Sequence, residues 1–283
     1  MSGVRRLLFV AALAGGLGCI QISVAHAQAP TLTIADRETS KTYAPSTLLA
    51  DRAAREITIA HDPVYRRSMT YRAIPMADLL KGLKAGDDDY VQARATDDFS
   101  IGIPVRLLRS GAGTGIEAFL AVESSTAKWP ALPGAGKNDS AGPFYIVWHA
   151  TNAAGLSSEY WVYHLAAVTI TDSPYRRWPG LGIAQDVPAG DPIRRGLERF
   201  VAVCMACHRF NGDGEAGQGP DLGRPMNPVE YFQPAALKKL LRNPSSVRSW
   251  PELKMPAFDE ASLSDADIDA IVAWLAYKNR SRR

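Results

Sequence analysis

Apolar and polar positions alternate with a period of two through much of the first half of the chain. Leu32 and Ile34 are separated by a threonine, as are Ile57 and Ile59, which reads as half-buried strands. The runs 91–95 and 99–103 read as two strands joined by a turn at Asp97-Asp98. The aromatic and β-branched runs 143–148 and 160–170 read as further strands. One short helix is expected at 76–83, where Leu79, Leu80 and Leu83 form an apolar stripe. The period changes near the C-terminus. Ile268, Ile271, Val272 and Leu275 fall at i, i+3, i+4 and i+7, with Ser264 placed to cap the helix and Asp267 to complete a capping box.

Between these regions, residues 173–192 hold Pro174, Pro179, Pro188 and Pro192 with Gly180, Gly182 and Gly190, which reads as a stiff linker. The 283 residues therefore divide into a β-rich α+β domain at 28–172 and a second domain at 193–283. Hydrophobic content of 46% and charged content of 22% are ordinary globular values. A net charge of +3, two of it from Arg5 and Arg6, gives no footing for nucleic-acid binding.

Residues 1–27 read as an export signal. Arg5 and Arg6 precede a short apolar run at 7–18, and Ala25-His26-Ala27 is a cleavage site of the A-x-A type. A lipoprotein reading would place Cys19 at the new N-terminus, but Gly16 stands where a large aliphatic residue is expected. The expected location is periplasmic. No later run is long and apolar enough for a membrane helix. Removal of Cys19 leaves two cysteines.

Those two carry the chemistry. Cys204-Met205-Ala206-Cys207-His208 is C-x-x-C-H, the attachment signature of a c-type haem. The thiols add across the two vinyl groups, and His208 follows at once to reach the iron. A zinc site would need further Cys or His ligands nearby, and none exist. A disulfide oxidoreductase would place the motif at a helix start, whereas here it closes a helix-like run. No histidine follows His208, so a second axial ligand comes from Met226 or Met255. Met255, followed by Pro256, is favoured for presentation on an extended loop, and His/Met ligation raises the potential.

Around these residues the chain resembles class I cytochromes c. The matching pieces are the helix at 193–200, C-x-x-C-H, Gly219-Pro220-Asp221-Leu222, the Met255-Pro256 loop and the final helix. The resemblance implies an all-α fold with one covalent haem c. It also implies that the Pro220 carbonyl orients His208, and that the terminal helices cross near Gly196, Phe200, Trp274 and Tyr277. A basic rim of Lys238, Lys239, Arg242, Arg248 and Lys254 is implied beside the haem edge.

The first domain resembles the sulfite-oxidase-like molybdopterin-binding fold in its short, free-standing versions. The matching stretches are 71–80, 95–104, 118–121, 142–147 and 161–170. Enzymes of that family hold molybdenum through a cysteine thiolate, and residues 28–203 contain no cysteine. The expectation is a fold without molybdopterin. His149 is better read as a hydrogen-bonded core residue than as a ligand, and 87–89 as a solvated acidic loop.

The functional expectation is periplasmic one-electron transfer. The first domain serves for docking or structure, and the partners are a dehydrogenase donor and an oxidase or cytochrome acceptor. The alternative is a molybdenum-dependent sulfite or sulfur-compound dehydrogenase, or a subunit of one.

Overall fold

The structure is a computed structural model that describes residues 29–136, 139–151 and 156–281. The export signal and Cys19 lie outside the described residues. Strands β1 (Leu32–Ala35) and β2 (Ser40–Tyr43) lead to helix α1 (Pro45–Leu49). Strands β3 (Arg55–Asp62) and β4 (Arg67–Pro75) and the short helix α2 (Met76–Leu79) follow. Next come β5 (Tyr90–Ala95), β6 (Ser100–Pro104), α3 (Val105–Leu108), β7 (Ile116–Val122), β8 (Phe144–Ala150) and β9 (Leu165–Thr171).

These strands form two sheets, of order β2-β1-β9-β5-β6 and β3-β4-β7-β8. Pairing is antiparallel except between β1 and β9. The period of two explains the layers. Ala118, Leu120 and Val122 of β7, with Phe144, Ile146 and Trp148 of β8, point into a core shared with Val91, Ile103 and Val168 of the other sheet. Their alternates Phe119, Ala121, Tyr145 and Val147 face a second cluster with Tyr65 and Tyr71. Beneath it the buried Asp62 carboxylate accepts the Tyr65 N–H at 2.8 Å and the Tyr71 hydroxyl at 2.8 Å.

Two sequence expectations are trimmed here. The helix expected at 76–83 stops at Leu79, and Gly82 then turns at φ +87°. The run 160–170 becomes a strand only from Leu165. His164 sits at φ +51°, and Ser158–Tyr160 form a 3₁₀ turn in which the Ser157 hydroxyl accepts the Glu159 N–H. The turn at Asp97-Asp98 takes its bend at Asp98, φ +67°.

The C-terminal half is helical. Helix α4 (Pro174–Arg177) precedes α5 (Pro192–Val203), α6 (Pro228–Tyr231), α7 (Pro234–Arg242) and α8 (Asp265–Arg280). Pro192 and the Asp191 cap start α5, where Asp191 accepts the Ile193 N–H at 2.8 Å. A full capping box between Ser264 and Asp267 starts α8. The two long helices cross at Gly196, where a Cβ would meet the Ala270 carbonyl oxygen at 2.0 Å. The rings of Phe200 and Trp274 stack there with centroids 4.4 Å apart, and Phe210 completes the group at 4.9 Å from Trp274. Arg195 Nε donates to Asp267 at 2.8 Å and ties α5 to the start of α8.

The proline- and glycine-rich stretch at 173–192 is not free linker throughout. Trp178, Leu181 and Ile183 pack into the helical core, with Leu181 fully buried. The Ala184 N–H donates to the Tyr277 hydroxyl of α8 at 2.9 Å. Among the described residues no helix is long and apolar enough to cross a membrane.

Candidate functional site

The last turn of α5 delivers the C-x-x-C-H segment. Cys204–Ala206 continue it as a 3₁₀ turn, and the N–H groups of Cys207 and His208 both donate to the Cys204 carbonyl, at 3.1 and 2.8 Å. This winding gathers Cys204, Cys207 and His208 in one place. Burial pushes the Cys204 thiol up to about 12 and the Cys207 thiol to about 11, with the negative charge of Glu159 adding to both. Protonated thiols are poor metal ligands and poor redox nucleophiles. Among the described residues no group of three or more His, Cys, Asp or Glu could hold a metal ion, so a closed zinc site has no donor set.

The geometry around His208 fits a proximal ligand. Its Nδ1 lies 2.8 Å from the Pro220 carbonyl. A carbonyl only accepts, so Nδ1 carries the proton and Nε2 keeps its lone pair. Burial lowers the His208 pKa, and the bond to Pro220 opposes that only in part, so the ring favours the neutral form a metal needs. Gly219 passes so close beside the ring that a Cβ there would lie 2.5 Å from Cε1. Its N–H donates to the Cys207 carbonyl at 2.9 Å, which closes the loop back onto the cysteine segment.

That loop is built on a residue the sequence reading left without a role. Asp221 accepts the N–H groups of Asn211, Gly212, Gly223 and Arg224, at 2.8, 2.7, 2.7 and 3.1 Å. Burial alone would raise its pKa, but these donors outweigh it and the carboxylate is held low. Asn211 at φ +55° with Gly212 and Gly214 at φ +90° and +116° supply the bends. Only the motif Gly219-Pro220-Asp221 hinted at this hub.

Met255 lies half-buried in the irregular stretch between α7 and α8. The segment after it is clamped by Arg242. The Phe258 N–H donates to the Arg242 carbonyl at 3.0 Å, and the guanidinium donates to the Phe258 carbonyl at 2.7 Å and the Leu263 carbonyl at 2.6 Å. The same guanidinium pairs with Glu260 at 2.8 Å and Asp265 at 2.6 Å. Met226 is exposed, beside the buried Asn227 that donates to the Leu275 carbonyl at 2.9 Å.

The basic rim expected from sequence is thinner than its residue list. Arg242 is spent on the clamp, Lys238 pairs with Asp269 at 2.6 Å, and Arg248 lies over the Trp250 ring at 5.4 Å. Lys239 and Lys254 are exposed and form no ion pair with the described residues.

In the first half, His149 is not the core residue expected from sequence: it is exposed at the end of β8, opposite Glu117 of β7. His164 Nε2 lies 2.6 Å from the Ser140 carbonyl. These two histidines do not converge on a common centre. The first half does meet the haem-attachment segment. Ala202, Ala206 and Cys207 pack against the core between the sheets, and the Ser157 hydroxyl donates to the Ala202 carbonyl at 2.6 Å. Glu215, in the loop after His208, takes Arg177 and lies 3.4 Å from Arg94.

Residues 191–275 match the family model described as cytochrome c oxidase, cbb3-type, subunit III. No curated protein matches the chain. Among solved structures, the sulfane dehydrogenase SoxCD from Paracoccus pantotrophus is similar at 15% identity with a TM-score of 0.34. The match covers 51% of this chain and 38% of that one, so this chain matches well under half the length of that protein. The helical part of the chain, from 191 to 275, is a cytochrome c domain, and such a domain implies a covalently bound haem c and redox partners.

Proposed function

We propose that this chain is a periplasmic one-electron carrier. In this reading residues 1–27 direct export, 28–172 form a sulfite-oxidase-like domain without molybdopterin, and 193–283 form the haem domain. The observation that carries it is the C-x-x-C-H turn, in which the Nδ1–H of His208 donates to Pro220 at 2.8 Å and leaves Nε2 for iron. Cys204 and Cys207 would tether the group through thioethers. Pro220 and Gly219 fix the ring plane of His208, and Met255 would supply a thioether sulfur as the second iron ligand. The haem, when bound, supplies an Fe(III)/Fe(II) couple; ligand type and burial set its potential. The first domain serves as a docking or structural module for a dehydrogenase donor or an oxidase or cytochrome acceptor.

The test is spectroscopic. The oxidised protein should show the weak far-red charge-transfer band of iron–sulfur ligation, and Met255→Ala should abolish it. A band that survives Met255→Ala and vanishes in Met226→Ala would reassign the ligand. Stoichiometric molybdenum with sulfite-dependent haem reduction would replace the carrier reading by a dehydrogenase.

A further inference from the structure

The side of the cytochrome c domain that bears the two cysteines is covered by the first domain, and one ionisable group of that domain reaches it. The 3₁₀ turn Ser158–Tyr160 is held to α5 through Ser157, whose hydroxyl donates to the Ala202 carbonyl at 2.6 Å and accepts the Glu159 N–H at 3.2 Å. Ala202 is two residues before Cys204. The Glu159 carboxylate lies near enough to both thiols for its charge to act on each. Among the described residues its side chain accepts one hydrogen bond, from the Ser158 hydroxyl at 3.3 Å, and pairs with no cation.

The charged and titratable groups around it can be named from each neighbouring element. Arg199 acts on Cys204 from α5, but its guanidinium is engaged by Asp267 at 3.4 Å and the Ser262 carbonyl at 3.1 Å. Asp97 acts on Cys207 from the β5–β6 turn, and the Tyr163 phenol lies within reach of both Asp97 and Glu159. None of these neutralises Glu159. Burial accordingly raises its pKa, with the Ser158 bond opposing in part. Glu159 is only half-buried, which leaves solvent a way to its carboxyl.

A group tethered through Cys204 and Cys207 is therefore the neighbour of an uncompensated carboxyl. Ferric iron favours the carboxylate, and reduction removes one positive charge from beside it. We propose that Glu159 is the redox-linked proton acceptor of this chain. It takes one proton from solvent as one electron from a redox-protein donor reduces the iron on His208, and it returns that proton on oxidation. The inference rests on the electron-transfer reading and adds that the first domain tunes the potential as well as covering the cysteines.

The experiment is a redox titration of the full-length holoprotein with dithionite and ferricyanide across the pH range in which it stays folded. Redox-triggered infrared difference spectra accompany it. The wild-type potential should fall as pH rises, and a protonated-carboxyl band should appear on reduction. Glu159→Gln should raise the potential at the alkaline end, flatten the slope and remove the band. Glu159→Asp should keep a slope and serves as the second variant if the amide disturbs folding. A slope and band unchanged in Glu159→Gln would overturn the proposal, as would a wild-type potential flat with pH. Wild-type protein without covalent haem would instead sink the electron-transfer reading itself.

Discussion

Gly196→Ala tests the helix crossing on which the haem domain is assembled. The new Cβ would lie 2.0 Å from the Ala270 oxygen, 2.6 Å from its carbonyl carbon and 2.8 Å from the Trp274 Cβ. Ordinary carbon contacts need about 3.5–4.0 Å, so α8 must retreat on the order of 1 Å or more. The obstacle is helix backbone, not the end of a flexible side chain, so the strain belongs at the upper end of overpacking costs, about 3 kcal/mol. Alanine returns about 1 kcal/mol of helix propensity. The net expectation is a loss of about 2 kcal/mol, roughly a thirtyfold fall in the ratio of folded to unfolded chains. Guanidinium denaturation followed by Soret circular dichroism reports the helical half and avoids treating two domains as one transition. The midpoint should fall with the slope unchanged. A midpoint that stays or rises would show that propensity governs the site and that the helices are not in contact at Gly196.

Two further outcomes follow from the same contacts. Burial would raise the Asp267 pKa, but the hydrogen bonds from Arg195 and Ser264 and the charge of Arg199 outweigh it, and the carboxyl is held below its ordinary value. A depressed folded pKa gives stability that is present above the unfolded pKa and lost as pH falls through the folded one. Asp267→Asn should therefore cost about 1–2 kcal/mol at neutral pH, and the gap between variant and wild type should close on acidification in parallel denaturation series. Lys239→Glu with Lys254→Glu should slow bimolecular electron transfer with an acidic partner at low ionic strength, leave the haem spectrum unchanged and weaken the salt dependence. Stopped-flow rates indifferent to both salt and the reversals would remove these lysines from the docking surface.

Local signals read well wherever one residue pattern had one structural solution. The Ser264–Asp267 capping box and the i, i+3, i+4, i+7 stripe of α8 are examples, as are β5 and β6 on either side of Asp98. Gly196 and Phe200 were legible as a crossing through the cytochrome resemblance. What stayed hidden depends on partners distant in sequence. Leu181 looked like one apolar residue among prolines, yet it is fully buried in one cluster with Leu197 and Phe200 of α5 and Ile271 and Trp274 of α8. Arg242 looked like rim charge, but its acceptors at Phe258, Leu263, Glu260 and Asp265 are gathered only by the fold. The run through Tyr160 and Trp161 had strand composition, but Ser157 caps a turn there and His164 adopts a positive φ. Glu159 carried no motif at all; its place beside Cys204 and Cys207 comes from the docking of one half of the chain on the other.

The central claim is one haem held covalently by Cys204 and Cys207. Intact mass spectrometry under denaturing conditions, on protein made where c-type haem is attached, tests it most directly. The account predicts the mass of the processed chain plus one haem, with a haem-bearing peptide spanning 204–208, and loss of the added mass in Cys204→Ala/Cys207→Ala. A wild-type chain that carries no added mass, or holds zinc at the two cysteines, would contradict it.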